Sequence, residues 1–493
     1  MKYRSAPPKP AAMIEALRGM GYSLETALAD LIDNSISAGA QNVNVIFRWN
    51  GGLSWIAVVD DGSGMSDSEL ESAMRLGDVN PLETRSQNDL GRFGLGLKTA
   101  SFSQARQLTV TSNNGLEISS LRWNLDTLSN DSSGEWKLLE GCDPNSAVFP
   151  EDLLIAETGT VVLWDYLDRI VTDKFSETDF YALIDRVSMH LSMVFHRFLD
   201  SRRPKFQLKI NDRVVSGWDP FLEHHEGTWK SPIAPIGRSI DDVVATAFIL
   251  PHKDRLSDKE FDVAAGPNGW SGQQGFYVYR GERLLVAGSW LGLGRGRAWT
   301  KDEAHRLVRI RLDISNRSDI NWKIDIRKSQ AAAPVWLRDQ LLLLAENVRA
   351  RARRVFYHRA TENSPTTRAT DVIAVWNGIS LKSGVKYKID RKSPVVQNIM
   401  DLAPQLSDQI ELLLRVIEET VPVQRIWLDT SESGEAPRGG FSDDPPDQVK
   451  TLIKLAFQSF VRSGLSAADA KARLSRTEPF DLYIDHILTL EEV

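Results

Sequence analysis

A glycine-rich segment, GRFGLGLKTASFSQ (91–104), contains the residue types that bind phosphate. Gly94 and Gly96 allow the backbone to approach an anion closely, because they carry no side chain. A helix that begins near them would direct free N–H groups and its positive end at the anion. Lys98 would add a compact positive charge. The segment predicts a phosphate-binding loop, and the alternative is a glycine-rich turn at the start of a helix.

Two common phosphate-binding motifs do not fit this segment. Gly91 and Gly96 have the separation found in G-x-x-x-x-G-K-[ST], but Leu97 intervenes before Lys98. Gly91, Gly94 and Gly96 give G-x-x-G-x-G, which is the reverse of the dinucleotide fingerprint G-x-G-x-x-G. The segment therefore indicates a different kind of phosphate site.

A predicted amphipathic helix upstream, SLETALADLIDNSISA (23–38), carries a carboxylate and a carboxamide four residues apart. Asp30 and Asn34 lie about 40° apart on one face of such a helix. This pair suits a base that orients water beside a magnesium ligand, although surface helices also carry such pairs. Asp33 is on another face and is expected to support the site or to cap the surface. Ser23 is the expected N-cap.

The segment VVDDGSGMS (58–66) reads as a strand that ends in a carboxylate followed by two glycines. Asp60 could accept a hydrogen bond from an exocyclic amine such as that of adenine. Gly62 and Gly64 would leave room for the ring. The alternative is an ordinary Asp-Gly turn.

The order of these motifs along the chain resembles the GHKL ATPase superfamily, which includes gyrase B subunits, MutL, histidine kinases and the large heat-shock chaperone. A D-x-x-x-N helix, a D-x-G-x-G strand end and the G-x-x-G-x-G segment follow one another, and GTVVLW (159–164) resembles the family's late Gly-Thr strand. The resemblance covers residues 10–200. It implies an α+β fold with a Bergerat-type two-layer α/β sandwich that binds ATP and Mg²⁺.

The resemblance implies a role for each matching residue. Asp30 would be the general base, and Asn34 would bind magnesium and phosphate oxygens. Asp60 would read the adenine amine, with Thr160 against the same ring. Residues 77–90 would form a lid. The other expected nucleotide-binding residues are Gly62, Gly64, Met65, Gly91, Phe93, Gly94, Leu95, Gly96, Leu97 and Lys98.

One departure from the family concerns the base. The ATP-hydrolysing branches usually carry Glu where this chain has Asp30. Aspartate is one methylene shorter, so the water or the helix must shift to meet it. ATP hydrolysis to ADP and phosphate is therefore expected to be slow.

The chain most resembles the MORC proteins and their bacterial MutL-like relatives. The resemblance implies three parts: an ATP-binding domain (1–200), an S5-like α/β transducer domain (201–334), and a mainly helical region (335–493) with a disordered-looking loop (429–448). A transducer lysine would reach the γ-phosphate and act in catalysis. Lys328 is the expected residue, with Lys323 as the alternate.

Composition fits a soluble cytoplasmic protein. The chain has 493 residues, a net charge of −7 and one cysteine, Cys142, so an internal disulfide and a multi-cysteine zinc site are excluded. No apolar run is long enough to span a membrane, and the first residues lack the apolar segment of a secretory signal.

Two hypotheses for function follow. The resemblance implies an ATP-gated, homodimerising clamp that acts on DNA, with other proteins of a bacterial restriction or phage-defence operon as partners. Basic segments at 202–209, 295–301 and 349–354 could contact DNA phosphates, or could be solvated faces. The alternative is a chaperone-like or scaffold ATPase that holds a protein partner, which the acidic net charge favours.

Overall fold

A computed structural model gives the fold. It describes residues 8–490 except for 20, 78–95, 132, 155, 201, 203, 237–242, 316–321, 323, 325–331, 358–374, 382–383, 422–446, 463 and 478–479. The chain divides into two compact units, residues 1–357 and residues 358–493.

Among the described residues, eight strands form the first sheet of the N-terminal unit. They are β1 (Asn42–Arg48), β2 (Trp55–Asp60), β3 (Gln107–Asn113), β4 (Ile118–Asn124), β5 (Leu139–Glu140), β6 (Gly159–Asp165), β7 (Gln207–Ile210) and β8 (Arg213–Val214). Their spatial order is β5-β4-β3-β6-β2-β1-β7-β8, and every neighbouring pair is antiparallel except β1 and β7. The turn at Asn50–Gly52 connects β1 to β2 in a hairpin.

Helices cover one face of this sheet. They are α1 (Pro10–Arg18), α2 (Leu24–Ser37), α3 (Asp67–Met74), α4 (Gly96–Phe102), α5 (Leu125–Asn130) and α6 (Glu177–Val194). α2 buries the apolar stripe expected from its period, including Leu28 and Leu31, against strand residues such as Val45 and Val58. The other face of the sheet carries a smaller apolar cluster around Trp55. The expected α+β fold with a two-layer sandwich at the N-terminus is confirmed.

The first sheet extends past the boundary expected at residue 200. The segment after α6 was expected to begin a new domain, but β7 pairs in parallel with β1, in the register Asn42 with Gln207. Without β7, one edge of β1 would expose unpaired N–H and C=O groups. Pairing with β7 satisfies that edge, so this sheet reaches Val214.

A second sheet follows in the same unit. Its described strands are β9 (Trp229–Lys230), β10 (Ala234–Ile236), β11 (Val243–Ile249), β12 (Gly275–Arg280), β13 (Arg283–Ser289) and β14 (Val308–Ile314). The main order is β10-β11-β14-β12-β13, and β9 pairs with β11. Short helices α7 (Asp258–Ala265) and α8 (Gly269–Gly272) precede β12.

The two faces of the second sheet pack against different elements. One face packs against α9 (Arg338–Tyr357), which buries Leu341, Ala345 and Val348 at helical spacing. The helical C-terminal region was expected to begin at residue 335, but this apolar stripe places α9 in the N-terminal unit. The other face contacts Met193 near the end of α6.

The unit at 358–493 is small and mainly helical. It contains the hairpin of β15 (Trp376–Leu381) and β16 (Gly384–Ile389), and the helices α10 (Pro394–Leu402), α11 (Ser407–Thr420), α12 (Asp447–Arg462), α13 (Ala467–Leu474) and α14 (Ile484–Leu488). A core formed by α12, α13 and α14 includes Phe457, Leu474 and Ile487. Of the helices described in either unit, none has both the length and the apolar character needed to cross a lipid bilayer.

Candidate active site

The start of α2 is fixed by its own sequence. Ser23 is the N-cap, as expected: its hydroxyl accepts a hydrogen bond from the Thr26 backbone N–H, and the Thr26 hydroxyl accepts one from the Ser23 N–H. Such a reciprocal cap satisfies two backbone donors that a helix otherwise leaves unpaired. Two turns later, this helix presents Asp30.

Asp30 is 3% exposed and lies beside Tyr22 and the end of the glycine-rich segment. The Tyr22 hydroxyl donates to Asp30 Oδ2 at 2.9 Å. A Cβ atom built on Gly96, at the described start of α4, would lie 3.8 Å from the same oxygen. Asn34, one turn along α2, is exposed. The structure therefore brings the D-x-x-x-N helix against the end of the glycine-rich segment.

Asp33 is fully buried and makes an ion pair, so the expectation that it could cap the surface is wrong. Arg283, the first residue of β13, donates from Nε to Asp33 Oδ1 at 3.2 Å and to Oδ2 at 3.1 Å. Its Nη2 lies 3.9 Å from Asp30 Oδ1. The second sheet thus contributes a cation beside the Asp30 and Asp33 carboxylates of α2.

Asp60 ends β2 in a buried, hydrogen-bonded position. Its carboxylate accepts from the Ser35 hydroxyl at 2.7 Å and from the Gly62 N–H at 3.0 Å. Burial raises the pKa of Asp60, while these hydrogen bonds and one from the Thr160 backbone act in the opposite direction. Ser35 belongs to α2, so one helix carries Asp30 and also contacts Asp60.

Ser112 on β3 joins the predicted residues around Asp60. Its hydroxyl lies 2.9 Å from the Thr160 hydroxyl and accepts from the Met65 N–H at 2.9 Å. Thr160 pairs with Asp60 across β2 and β6. Asp60, Met65 and Thr160, which are distant in sequence, are therefore adjacent in the fold.

The glycines after Asp60 are required by close packing of the backbone. A Cβ on Gly64, whose φ is +67°, would lie 1.9 Å from the Asn113 carbonyl oxygen. A Cβ on Gly62 would lie 2.9 Å from the Ala38 Cβ and 3.0 Å from Asp60 Oδ1. The added atoms would meet protein, so close packing of the backbone by itself requires glycine at these two positions, and the expected room for a ring stays a prediction.

Lys98 lies on α4, 2% exposed, and its ammonium donates to the Ala73 carbonyl at 2.8 Å. Leu97 is half-buried against the apolar core between the first sheet and its helices. Buried, Lys98 ties α4 to α3, and its expected place near the terminal phosphates stays a prediction.

Several predicted residues lie outside the described residues. These are Gly91, Phe93, Gly94, Leu95, Lys323 and Lys328, together with residues 78–90 of the expected lid. Their roles stay predictions.

Sequence reasoning missed four residues that contact the candidate site. Ser35 and Ser112 are ordinary small polar residues, and nothing in their local pattern distinguishes them. Tyr22 directly precedes the N-cap of α2, so its position beside the helix was a usable signal. Arg283 lies in another sheet, and no local pattern could connect it to Asp33.

The donors of the site fit a magnesium nucleotide. Within the described part of the chain, no group of three or more His, Cys, Asp or Glu residues could hold a metal ion alone. Mg²⁺ at nucleotide sites takes one or two protein oxygens and completes its shell with phosphates and water. Asn34 is exposed and lies one turn from Asp30, so its amide oxygen fits the role of a protein ligand of Mg²⁺.

A cavity of about 850 Å³ lies elsewhere, between the end of α6 and the β7–β8 edge. Its lining includes Arg197, Asp219, Glu223 and Arg311. None of the predicted site residues lines it, so size alone does not identify the chemical site.

Comparison with known proteins supports the interpretation of these residues as an ATP-binding site. Residues 22–149 match the family described as histidine kinase-, DNA gyrase B-, and HSP90-like ATPase. An 86-residue stretch is 37% identical to the DNA mismatch repair protein MutL of Thermus aquaticus. That match spans 17% of this chain and 15% of the length of MutL. The buried carboxylates and their glycines lie in or beside this matched segment, so residues 22–149 of this chain match the GHKL superfamily of ATPases.

Proposed function

We propose that this protein binds ATP with Mg²⁺ and hydrolyses it slowly to ADP and phosphate. The observation that carries the proposal is that α2 carries one buried carboxylate and contacts the second. Asp30 lies on the helix, and Ser35, five residues later, donates to Asp60. One rigid element therefore sets the distance between the base and the adenine contact, as catalysis by positioning requires.

In this proposal, Asp60 accepts a hydrogen bond from the adenine amine. The Ser35 hydroxyl and the Gly62 N–H hold the carboxylate in place. Thr160 and Met65 line the same end through their shared contact with Ser112. A buried carboxylate that must pair with a donor discriminates strongly against a base that lacks the amine.

At the other end, Asp30 accepts a proton from the attacking water. The Tyr22 hydroxyl holds one of its oxygens. Asn34 would hold Mg²⁺, which would supply positive charge beside the phosphates. Gly91, Gly94 and Gly96 would enclose the phosphates and Lys98 would lie near them. Lys328 would reach the γ-phosphate, with Lys323 as the alternate.

Slow turnover is part of the proposal. The Asp30 carboxylate is one methylene closer to its helix than the usual glutamate. The Tyr22 hydroxyl at 2.9 Å further restricts its reach toward a water molecule. Slow hydrolysis suits a protein in which bound ATP is a conformational signal.

We also propose that ATP binding closes a clamp. Residues 78–90 would fold over the nucleotide, the second sheet would act as an S5-like transducer, and two N-terminal regions would associate as a homodimer. A nucleotide can drive such a change only through tighter binding to the closed state. The MutL match supports the proposal that the clamp acts on DNA. The resemblance to MORC and MutL-like proteins leads us to propose that it does so in a bacterial defence system.

The described basic residues favour a second candidate, a clamp that holds a protein partner. Arg202 pairs with Asp200, and Arg295 pairs with both carboxylate oxygens of Glu346. The guanidinium of Arg349 stacks within 4.6 Å of the ring of Trp290. Each of these cations already has a partner inside the protein, which weakens its use as a phosphate contact.

Calorimetry with a non-hydrolysable ATP analogue and Mg²⁺ tests binding, and phosphate release tests hydrolysis. We expect heat of binding at a one-to-one ratio and a turnover that requires Mg²⁺. A well-folded sample that gives no heat with the magnesium analogue would refute the proposed function.

Retention on DNA as a function of salt, with and without the analogue, decides between the partners. Nucleotide-dependent trapping on DNA supports the DNA clamp. Equal elution in both conditions, with nucleotide-dependent capture of a protein encoded beside this one, supports the protein clamp.

A further inference from the structure

Arg283 belongs to the second sheet, but its side chain contacts the helix that carries Asp30. It follows the two-residue turn Gly281–Glu282 between β12 and β13, in which both residues have positive φ (53° and 71°). Such turns match the natural twist of a hairpin and hold its end in a defined place. The tip of this hairpin therefore determines where the arginine enters the N-terminal layer.

The guanidinium is fixed by contacts on several sides. Nε donates to both oxygens of Asp33, Nη1 donates to the Leu284 carbonyl at 2.7 Å, and the group lies 5.9 Å from the centre of the Phe195 ring. Nη2 lies 3.9 Å from Asp30 Oδ1. The side chains of Arg283, Asp33 and Asp30 are 4%, 0% and 3% exposed. The cluster is therefore largely shielded from bulk solvent.

Stability alone is a weak reason for such a cluster. Desolvation of a buried ion pair offsets much of its attraction, and apolar residues often replace one without loss. Here the cation also lies beside the carboxylate that the proposed function uses. His190 on α6 adds no charge near neutral pH, because burial and Arg283 lower its pKa to about 4. Asp30 is thus held between the guanidinium and the Tyr22 hydroxyl.

We propose that Arg283 is a positioning residue through which the second sheet holds Asp30 in place for ATP hydrolysis. This inference rests on the proposed function. Arg283 anchors Asp33, and Asp33 is one turn from Asp30 on α2. A shift of the second sheet against α2 moves the guanidinium and with it the base. Hydrolysis therefore depends on the arrangement of the two sheets, whereas adenine recognition at Asp60 does not.

Arg197 provides a matched control. It also joins the two layers, since it pairs with Asp313 on β14 and its guanidinium lies 4.6 Å from the centre of the Tyr279 ring. These contacts are with the second sheet and do not involve α2. Its loss should weaken the same interface without displacing Asp30.

The test compares Arg283→Met, Arg283→Lys and Arg197→Met in the full chain. The measurements are kcat and KM for magnesium-ATP, the Kd of a non-hydrolysable analogue, and the unfolding temperature. We expect Arg283→Met to lower kcat about 100-fold, the effect of a small displacement of a catalytic group, with the Kd changed less than about threefold. Arg283→Lys should give an intermediate kcat, because it keeps the charge but loses the planar donor geometry. Arg197→Met should lower the unfolding temperature and leave kcat within about twofold.

Equal losses of unfolding temperature in Arg283→Met and Arg197→Met, with kcat unchanged in both, overturn the inference. If Arg283→Met does not fold, Arg283→Lys and Asp33→Asn decide: a reduced kcat with unchanged Kd supports the inference, and an unchanged kcat overturns it. Failure of the proposed function looks different, because wild-type protein would then bind no analogue. If Asp30→Asn keeps the wild-type kcat, Asp30 is not the base and the inference falls with that assignment.

Discussion

The two ends of the candidate site are held by different kinds of contact. At the adenine end, Asp60 is fixed by Ser35 on α2, Gly62 in the loop after β2 and Thr160 on β6, all within the first sheet and its connections. At the hydrolytic end, Asp33 beside the base pairs with Arg283, 250 positions later in the chain and on another sheet. The contacts at the adenine end lie within the first sheet and its helices, whereas those at the hydrolytic end also involve the second sheet.

This difference indicates how binding and hydrolysis could respond separately to motion. Contacts within the first sheet and its packed helices stay fixed when the two sheets shift against each other, because a close-packed core resists deformation. A contact between two sheets changes with their relative position. We therefore expect changes at the adenine end to alter affinity, and changes at the hydrolytic end to alter turnover.

The largest expected effect is at Asp30. Asp30→Asn keeps the shape but cannot accept a proton, so kcat should fall about 1,000-fold. Affinity for a non-hydrolysable analogue should stay near that of the wild type, measured by calorimetry. Hydrolysis at the native rate in a single-turnover assay would exclude Asp30 as the base.

A backbone substitution at the adenine end comes next. Gly64→Ala places a Cβ 1.9 Å from the Asn113 carbonyl at a φ of +67°, so the free energy of unfolding should fall by about 3 kcal/mol or more. Gly51→Ala is the control, because Gly51 also has positive φ (+54°) but its Cβ would meet no atom within 4 Å. It should lose only about 1 kcal/mol. Similar losses in urea unfolding of the two variants would contradict the close packing at Gly64.

Asp60→Asn should weaken analogue binding about 10- to 100-fold, which corresponds to one charge-assisted hydrogen bond. Asp61→Asn makes the same chemical change at the next residue. Burial raises the pKa of Asp61, but hydrogen bonds from Asn42 and the Gln41 backbone outweigh burial, so that pKa is lowered overall. Asp61→Asn should affect stability and leave the Kd unchanged. Equal weakening in both variants would remove the special role of Asp60.

The smallest expected effect is a change in pH dependence. In the proposed function, adenine binding needs the ionised Asp60 carboxylate, so affinity should be lost as the pH falls through the raised pKa of Asp60. The Ser35 hydroxyl favours the ionised form, so its removal in Ser35→Ala raises that pKa further. The loss of affinity should therefore occur at higher pH in Ser35→Ala than in the wild type. Protonation of the nucleotide is the same for both proteins, so identical profiles would contradict this account.

The sequence by itself determined the local parts of this protein. Helix period and capping predicted α2 and its start at Ser23, and the order of short motifs predicted the superfamily. These features depend on residues within a few positions of one another, where spacing along the chain is also spacing in the element.

Only the tertiary structure decided the contacts between distant segments. It added β7 to the first sheet, packed α9 onto the second, and placed Arg283 against Asp33. A parallel strand partner and a buried ion pair are selected by which edges and charges remain unsatisfied once the layers pack. The choice of these partners does not produce a periodic pattern in the sequence, so the sequence alone could not predict it.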